Sequence, residues 1–172
     1  MSTSQITETT QYLTFRLADE IFAFDVSQVR EVLDISNITK VPGAPEFMRG
    51  VINVRGSVVP VVDMRLKFGM AKTENTVETR MVVFDTMLDG ESTALGALAD
   101  SVHEVIELDP DQIEDPPRIG NRWRTEFIKG IGKRNEEFII ILDIDRVFAA
   151  DELALADAIS QERVVEETEA AA

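Results

Sequence analysis

Phe47 to Phe68, FMRGVINVRGSVVPVVDMRLKF, decides the fold. Val54 to Asp63 reads as two short strands joined at Arg55-Gly56-Ser57. Gly56 permits the positive φ a tight turn needs, and the valine-rich run after it suits a pleated, largely buried surface. Pro60 cannot donate to a ladder, so it marks an edge, a bulge or a strand break. The stretch returns as FIKGIGKRNEEFIIILDIDRVF, from Phe127 to Phe148. The offset is 127 − 47 = 80 at one end and 148 − 68 = 80 at the other. Two anchors at one offset across a whole hairpin make this an internal repeat.

Working outward, Tyr12 to Leu17 and Ile21 to Val26 alternate apolar and polar residues about the turn Ala18-Asp19-Glu20, which is a hairpin pattern. Then Val26, Val29, Val32 and Leu33 fall at helical spacing, and Ser27 is the candidate N-cap of a helical turn or two. Ile35 to Val41 is expected to be extended, Pro42 to Pro45 a loop, Leu66 to Met70 a short turn, and Ala71 to Thr76 a polar connector. A second hairpin pairs Arg80 to Asp85 with Ala94 to Ala99 about Asp89-Gly90-Glu91. Val29-Arg30-Glu31-Val32 then matches Val102-His103-Glu104-Val105 at an offset of 73. The seven extra residues, 80 − 73, lie between Ile106 and Phe127, where Asp109-Pro110-Asp111 and Glu114 to Pro117 read as loop. Ala149 to Ile159 has helix-forming composition. The fold class is therefore mainly β: two related lobes of about five short strands, over repeats 12–68 and 81–148, with strand exchange between lobes left open. Residues 1–10 read as disordered, 11–158 as the domain, and 159–172 as an acidic, alanine-rich tail.

The 172 residues carry 32 acids against 17 lysines and arginines, a net charge of −15. Nucleic-acid binding needs a basic face that this composition does not offer. An anionic membrane surface is disfavoured for the same reason. The apolar runs are too short for a membrane-spanning helix, and the first residues lack a signal-peptide layout, which fits a cytoplasmic protein. Without cysteine there is no disulfide, thiolate metal site or cysteine nucleophile. His103 is the single histidine and sits in a valine-rich segment, where a structural role outweighs a catalytic one. Asp63 and Asp143 end equivalent strands, as turn or hydrogen-bonding residues would. Asp109-x-Asp111 with Glu114-Asp115 lacks the glycine and final glutamate of a calcium loop, and Gly50-x5-Gly56 is not a phosphate loop. No catalytic residue, metal site or cofactor is expected; the residues describe a binding module.

Asp25 to Glu31, Phe47-Met48-Arg49-Gly50-Val51-Ile52-Asn53-Val54-Arg55-Gly56 and Val59 to Arg65 together resemble the CheW family of bacterial chemotaxis coupling proteins, over about Gln11 to Ala158. The resemblance implies two SH3-like five-stranded β-barrel lobes around a groove. It implies a non-enzymatic scaffold that joins methyl-accepting chemoreceptors to the histidine kinase CheA, lying at receptor arrays beneath the inner membrane. The rival readings are a related adaptor of a pilus or biofilm array and, remotely, a small acid–base hydrolase. Carried over by position, the groove for the receptor tip comprises Val29, Glu31, Val32, Gly50, Arg55, Gly56, Val102 and Val105. Kinase contacts fall on Asn53, Val58, Asp63 and Arg65. Glu31 and Arg55 are expected to pair, using the planar bidentate guanidinium. Arg118, Arg122, Trp123 and Arg124 form a basic–aromatic patch suited to a partner contact.

Overall fold

A computed structural model of the chain describes residues 8–35, 37–88, 90–116 and 127–149. Eleven strands and two short helices follow in order. They are β1 (Thr10–Leu17), β2 (Glu20–Asp25), β3 (Val29–Asp34), β4 (Met48–Val54), β5 (Ser57–Asp63), α1 (Met64–Lys67) and β6 (Arg80–Leu88). Then come β7 (Glu91–Ala99), β8 (Ser101–Leu108), β9 (Ile113–Glu114), β10 (Ile128–Arg134), β11 (Glu137–Leu142) and α2 (Ile144–Ala149).

The repeat is visible in the backbone. Arg55 and Gly56 form a two-residue hairpin turn at φ 52° and 87°, and Asn135 and Glu136 do so at 51° and 67°. Such primed turns match the strand twist. Register shifts fall between Met48 and Gly50 and between Ile128 and Gly130, again 80 apart. Gly50, at φ +144°, lies under the Thr39 carbonyl, where a Cβ would overlap the oxygen.

One sheet runs β3-β6-β7-β5-β4 and the other β8-β1-β2-β11-β10-β9. Each draws strands from both repeats, because hairpin β1–β2 joins β10–β11 through a parallel pairing and β6–β7 joins β4–β5 through another. Strands alternate side chains between two faces, and here both faces are apolar. Val61, Met81 and Leu98 fill the core of the first lobe, whereas their neighbours Val62, Val82, Ala97 and Ala99 face a larger cluster between the lobes. Ile139 and Ile141 serve the second lobe in the same way, and Leu142 and the partly buried Ile140 face the shared cluster. That division explains the unbroken apolar runs around Val59–Val62 and Phe138–Leu142. The shared cluster is phenylalanine-rich. Phe68, Phe22, Phe15, Phe24, Phe84 and Phe148 follow one another with centroids 4.6 to 5.9 Å apart. At roughly 1.5–3 kcal/mol per fully buried large apolar side chain, this cluster is the main cohesion between the lobes.

Four expectations are corrected. The helical reading of Val26–Leu33 holds only as a single 3-10 turn, Val26–Gln28, capped by Asp25 rather than Ser27. Residues Val29–Asp34 are strand β3, with alternating partly buried and exposed positions, paired to β6. Apolar positions at 26, 29, 32 and 33 fit the helical period and not strict alternation; the register shift between Val29 and Glu31 interrupts the strand's own period, and the open edge of β6 supplied the ladder that a two-turn helix could not match. Val102 and Val105 likewise lie in a strand, β8. Pro60 is at neither an edge strand, a bulge nor a break: β5 is flanked by β4 and β7, Pro60 pairs in register with Val51 while the shift falls between Met48 and Gly50, and the parallel register with β7 begins only at Val61. The region read as loop after Ile106 carries a 3-10 turn, Pro110–Gln112, and β9, so the second sheet has a sixth, two-residue strand. Finally α2 begins at Ile144, five residues before the helix expected from Ala149. Residues 150–159 of the expected helix, the tail and the Arg118–Arg124 patch lie outside the described residues.

Candidate partner-binding surface

The first lobe closes where its two edge strands meet. β3 and β4 are opposite edges of one sheet. Thr39, beyond β3, pairs with Val51 on β4 through two backbone hydrogen bonds of 2.9 and 2.8 Å. Near that seam Arg55 Nε donates to Glu31 Oε2 at 3.2 Å and Arg55 Nη2 to Oε1 at 3.3 Å, the fork expected from the sequence. The Arg55 side chain is 82% exposed and Glu31 24%. The hydrogen bonds and charge of Glu31 raise the guanidinium pKa above its ordinary value. Arg55 takes a left-handed turn conformation that a non-glycine residue adopts only at some cost, and from that turn its side chain reaches Glu31. Asn53 Oδ1 accepts from Gly56 N at 2.9 Å and braces the same turn.

Below the hairpin, Asp63 is fully buried. It accepts from Arg49 Nη1 (3.1 Å), Thr73 N (3.0 Å), Thr73 Oγ1 (2.7 Å) and Arg65 N (3.1 Å), capping α1 through the last. Among the described residues its counterpart Asp143 accepts one such bond, from Arg146 N at 3.3 Å. Both aspartates are thus structural. Asp63 presents no atom to a partner, which removes it from any direct kinase contact. Arg65 is mostly buried; its Nε stands 3.3 Å from Asp100 without hydrogen-bond alignment, and its Nη1 donates to Ala71 O at 3.2 Å. Asp100 also accepts from Ala18 N at 2.7 Å, tying the β1–β2 turn to the other lobe. From α2, Asp145 accepts from Thr86 Oγ1 at 2.8 Å on β6. Lys67 Nζ sits 4.8 Å from the Phe47 ring centroid and 5.6 Å from both Phe127 and Phe148, a cation held by rings from both repeats.

The remaining groove residues divide by exposure. Val29 on β3 and Val102 on β8 are partly buried, and both pack against the shared cluster. Val32 and Val105 are exposed on those strands at 39% and 48%. Gly56 is exposed, whereas Gly50 is buried and acts beneath the surface rather than on it. Val58, 55% exposed, and Phe138, 63% exposed, occupy equivalent positions of the repeated hairpins. Phe138 was not singled out from the sequence, although the offset of 80 points to it. It borders a cavity of about 730 Å³ with Ile21, Ile131 and Ile140. Nor did the sequence indicate Thr73 or Lys67, whose neighbours are distant in the chain. His103 is exposed and 2.9 Å from the Ser101 hydroxyl. Among the described residues no three acids or histidines are grouped as a metal site, and no helix is long and apolar enough to cross a membrane.

A family profile for the CheW-like domain matches residues 11–152. The chain is 30% identical over 154 residues to the chemotaxis protein CheW of Klebsiella aerogenes, covering 88% of this chain and 89% of that protein. It is 31% identical over 137 residues to the chemotaxis protein CheW of Thermotoga maritima, covering 80% and 86%. The crystal structure of the scaffolding protein TtCheW from Thermoanaerobacter tengcongensis superposes with a TM-score of 0.72 at 35% identity, covering 81% of this chain and 92% of that one. The domain-wide match and the shared two-lobe fold converge: this chain belongs to the CheW-like family of non-catalytic chemotaxis coupling scaffolds.

Proposed function

We propose that the chain couples the cytoplasmic tip of methyl-accepting chemoreceptors to the regulatory domain of a CheA-type histidine kinase, in the cytoplasm at receptor arrays beneath the inner membrane. The observation that carries this is the two-pronged Arg55–Glu31 fork on the same lobe as the exposed apolar residues Val32 and Val58. A planar, pre-oriented cation next to apolar surface is what protein-interface hot spots use. Val29, Val32, Val102 and Val105 supply the apolar ground for the receptor's helical hairpin, with Arg55, Glu31 and Gly56 at its rim and Gly50 holding the strand crossing beneath. Val58 and Asn53 on the β4–β5 hairpin face the kinase, and Arg65 positions that hairpin from below. The chain transfers no phosphate; it sets the distance and orientation between two proteins that do the signalling.

The test is a pull-down of the full chain with a CheA regulatory domain and, separately, with a receptor signalling fragment. Val58→Asp is expected to lose the kinase and keep the receptor, and Val32→Asp together with Arg55→Ala to do the reverse. Binding of neither protein by the folded wild type would overturn the proposal.

A further inference from the structure

On a chain whose acids outnumber its bases 32 to 17, one concavity is lined the other way. It lies between the segment entering β4 and the segment leaving α1, and encloses about 230 Å³. Lys40, Arg49 and Lys72 line it, over a floor of Val41, Met48 and Leu66. Glu46 is the one carboxylate among the lining residues. Arg49 is anchored by Asp63 and the Thr73 carbonyl, which compensates its charge and fixes its place. Among the described residues no hydrogen bond or ion pair engages the ammonium groups of Lys40 and Lys72. Three cations less Glu46 and Asp63 leave a local charge of 3 − 2 = +1, against −15 for the chain.

We infer that this notch docks an acidic side chain carried on an apolar stretch of a partner protein. The inference rests on the reading that the chain works by docking proteins, and it adds the chemistry of one contact. The volume falls below the roughly 300–1,000 Å³ of small-molecule sites and suits a side chain. Two free lysines over an apolar floor match a carboxylate with its methylenes and an adjoining apolar residue. A multiply charged phosphate fits less well, because the net charge is +1 and the guanidinium that would grip it is already occupied. A second copy is repelled by its own charge of −15.

The test is a nuclear magnetic resonance titration of the full chain with the tetrapeptide acetyl-Glu-Leu-Glu-Leu-amide, its Gln counterpart, and inorganic phosphate. Saturable shifts at Val41, Met48, Arg49 and Lys72 are expected with the acidic peptide only. They should vanish at about 1 M salt, where the screening length is about 3 Å, and in the Lys40→Gln/Lys72→Gln variant. No saturable shift, an equal response to the Gln peptide or to phosphate, or an unchanged response in the double variant overturns the inference. Should the double variant lose its fold, the comparison of the two peptides decides alone. Peptide binding without kinase or receptor binding would refute the adaptor reading and leave the notch standing.

Discussion

Replacing Asp63 by alanine should be among the most damaging single changes outside the phenylalanine cluster. The carboxylate accepts four hydrogen bonds between 2.7 and 3.1 Å with no solvent exposure. Its removal leaves Arg49, 21% exposed, without its counter-charge, and leaves the backbone N–H of the buried Thr73 unpaired. Breaking a buried pair costs about 3–5 kcal/mol, each orphaned donor about 1–3, and a lost helix cap about 1. These overlap, since one void serves all the donors and water can enter it, so the whole is set at about 3–5 kcal/mol. For a domain of this size about 2–4 °C of Tm accompanies each kcal/mol, so Tm should fall by roughly 6–20 °C. Asp143→Ala is the internal control: it forfeits one 3.3 Å bond and a longer ion pair at a 26% exposed side chain, so its loss should stay below about 1.5 kcal/mol. Urea titration measures both, with an unchanged m-value showing that the unfolded state is the same. A loss below about 1 kcal/mol for Asp63→Ala, or equal losses at the two positions, would refute the argument that this network braces the hairpin.

Gly50→Ala combines a positive φ with overlap on the Thr39 carbonyl, so it should cost at least about 2 kcal/mol and release the Thr39–Val51 bridge, seen as faster amide exchange at both residues. Lys67→Met keeps the side chain's length and removes its cation; a loss of about 1–2 kcal/mol is expected, with faster exchange near Phe127 and Phe148 while the interiors of both lobes stay protected. Lys67→Arg should restore both. Tyr12, the chain's one tyrosine, is buried, and burial raises its pKa above the ordinary 10.0. The folded state then holds the phenolic proton more tightly than the unfolded state does. Its contribution to stability is therefore complete below pH 10 and declines as pH rises toward the folded pKa. Tyrosinate absorbance should appear at higher pH in the folded chain than in the unfolded one, and Tyr12→Phe should flatten the alkaline loss.

Much of this was legible in advance. The offset of 80 between Phe47–Phe68 and Phe127–Phe148 carried over to turns, register shifts and the strand-end aspartates, because a repeated pattern of glycine, apolar run and aspartate makes the same local demands wherever it occurs. The Glu31–Arg55 fork was anticipated from the family motif and is present. The segment from Val26 to Leu33 misled because its four apolar residues follow the helical period, and only pairing with the edge of β6, with a register shift between Val29 and Glu31, made it a strand.

What the amino-acid order determined by itself was local: hairpins, turn chemistry, which residues are apolar on both faces, and the repetition of one unit. What only the tertiary structure decided was where those apolar faces go. Exchange of the β1–β2 and β6–β7 hairpins between the lobes sends alternate residues of each strand to a lobe interior or to the shared cluster. It also gathers Lys67 with rings from residues 47, 127 and 148. Contacts of that range depend on which chain segments pack together, and packing is a property of the whole surface rather than of any stretch of residues.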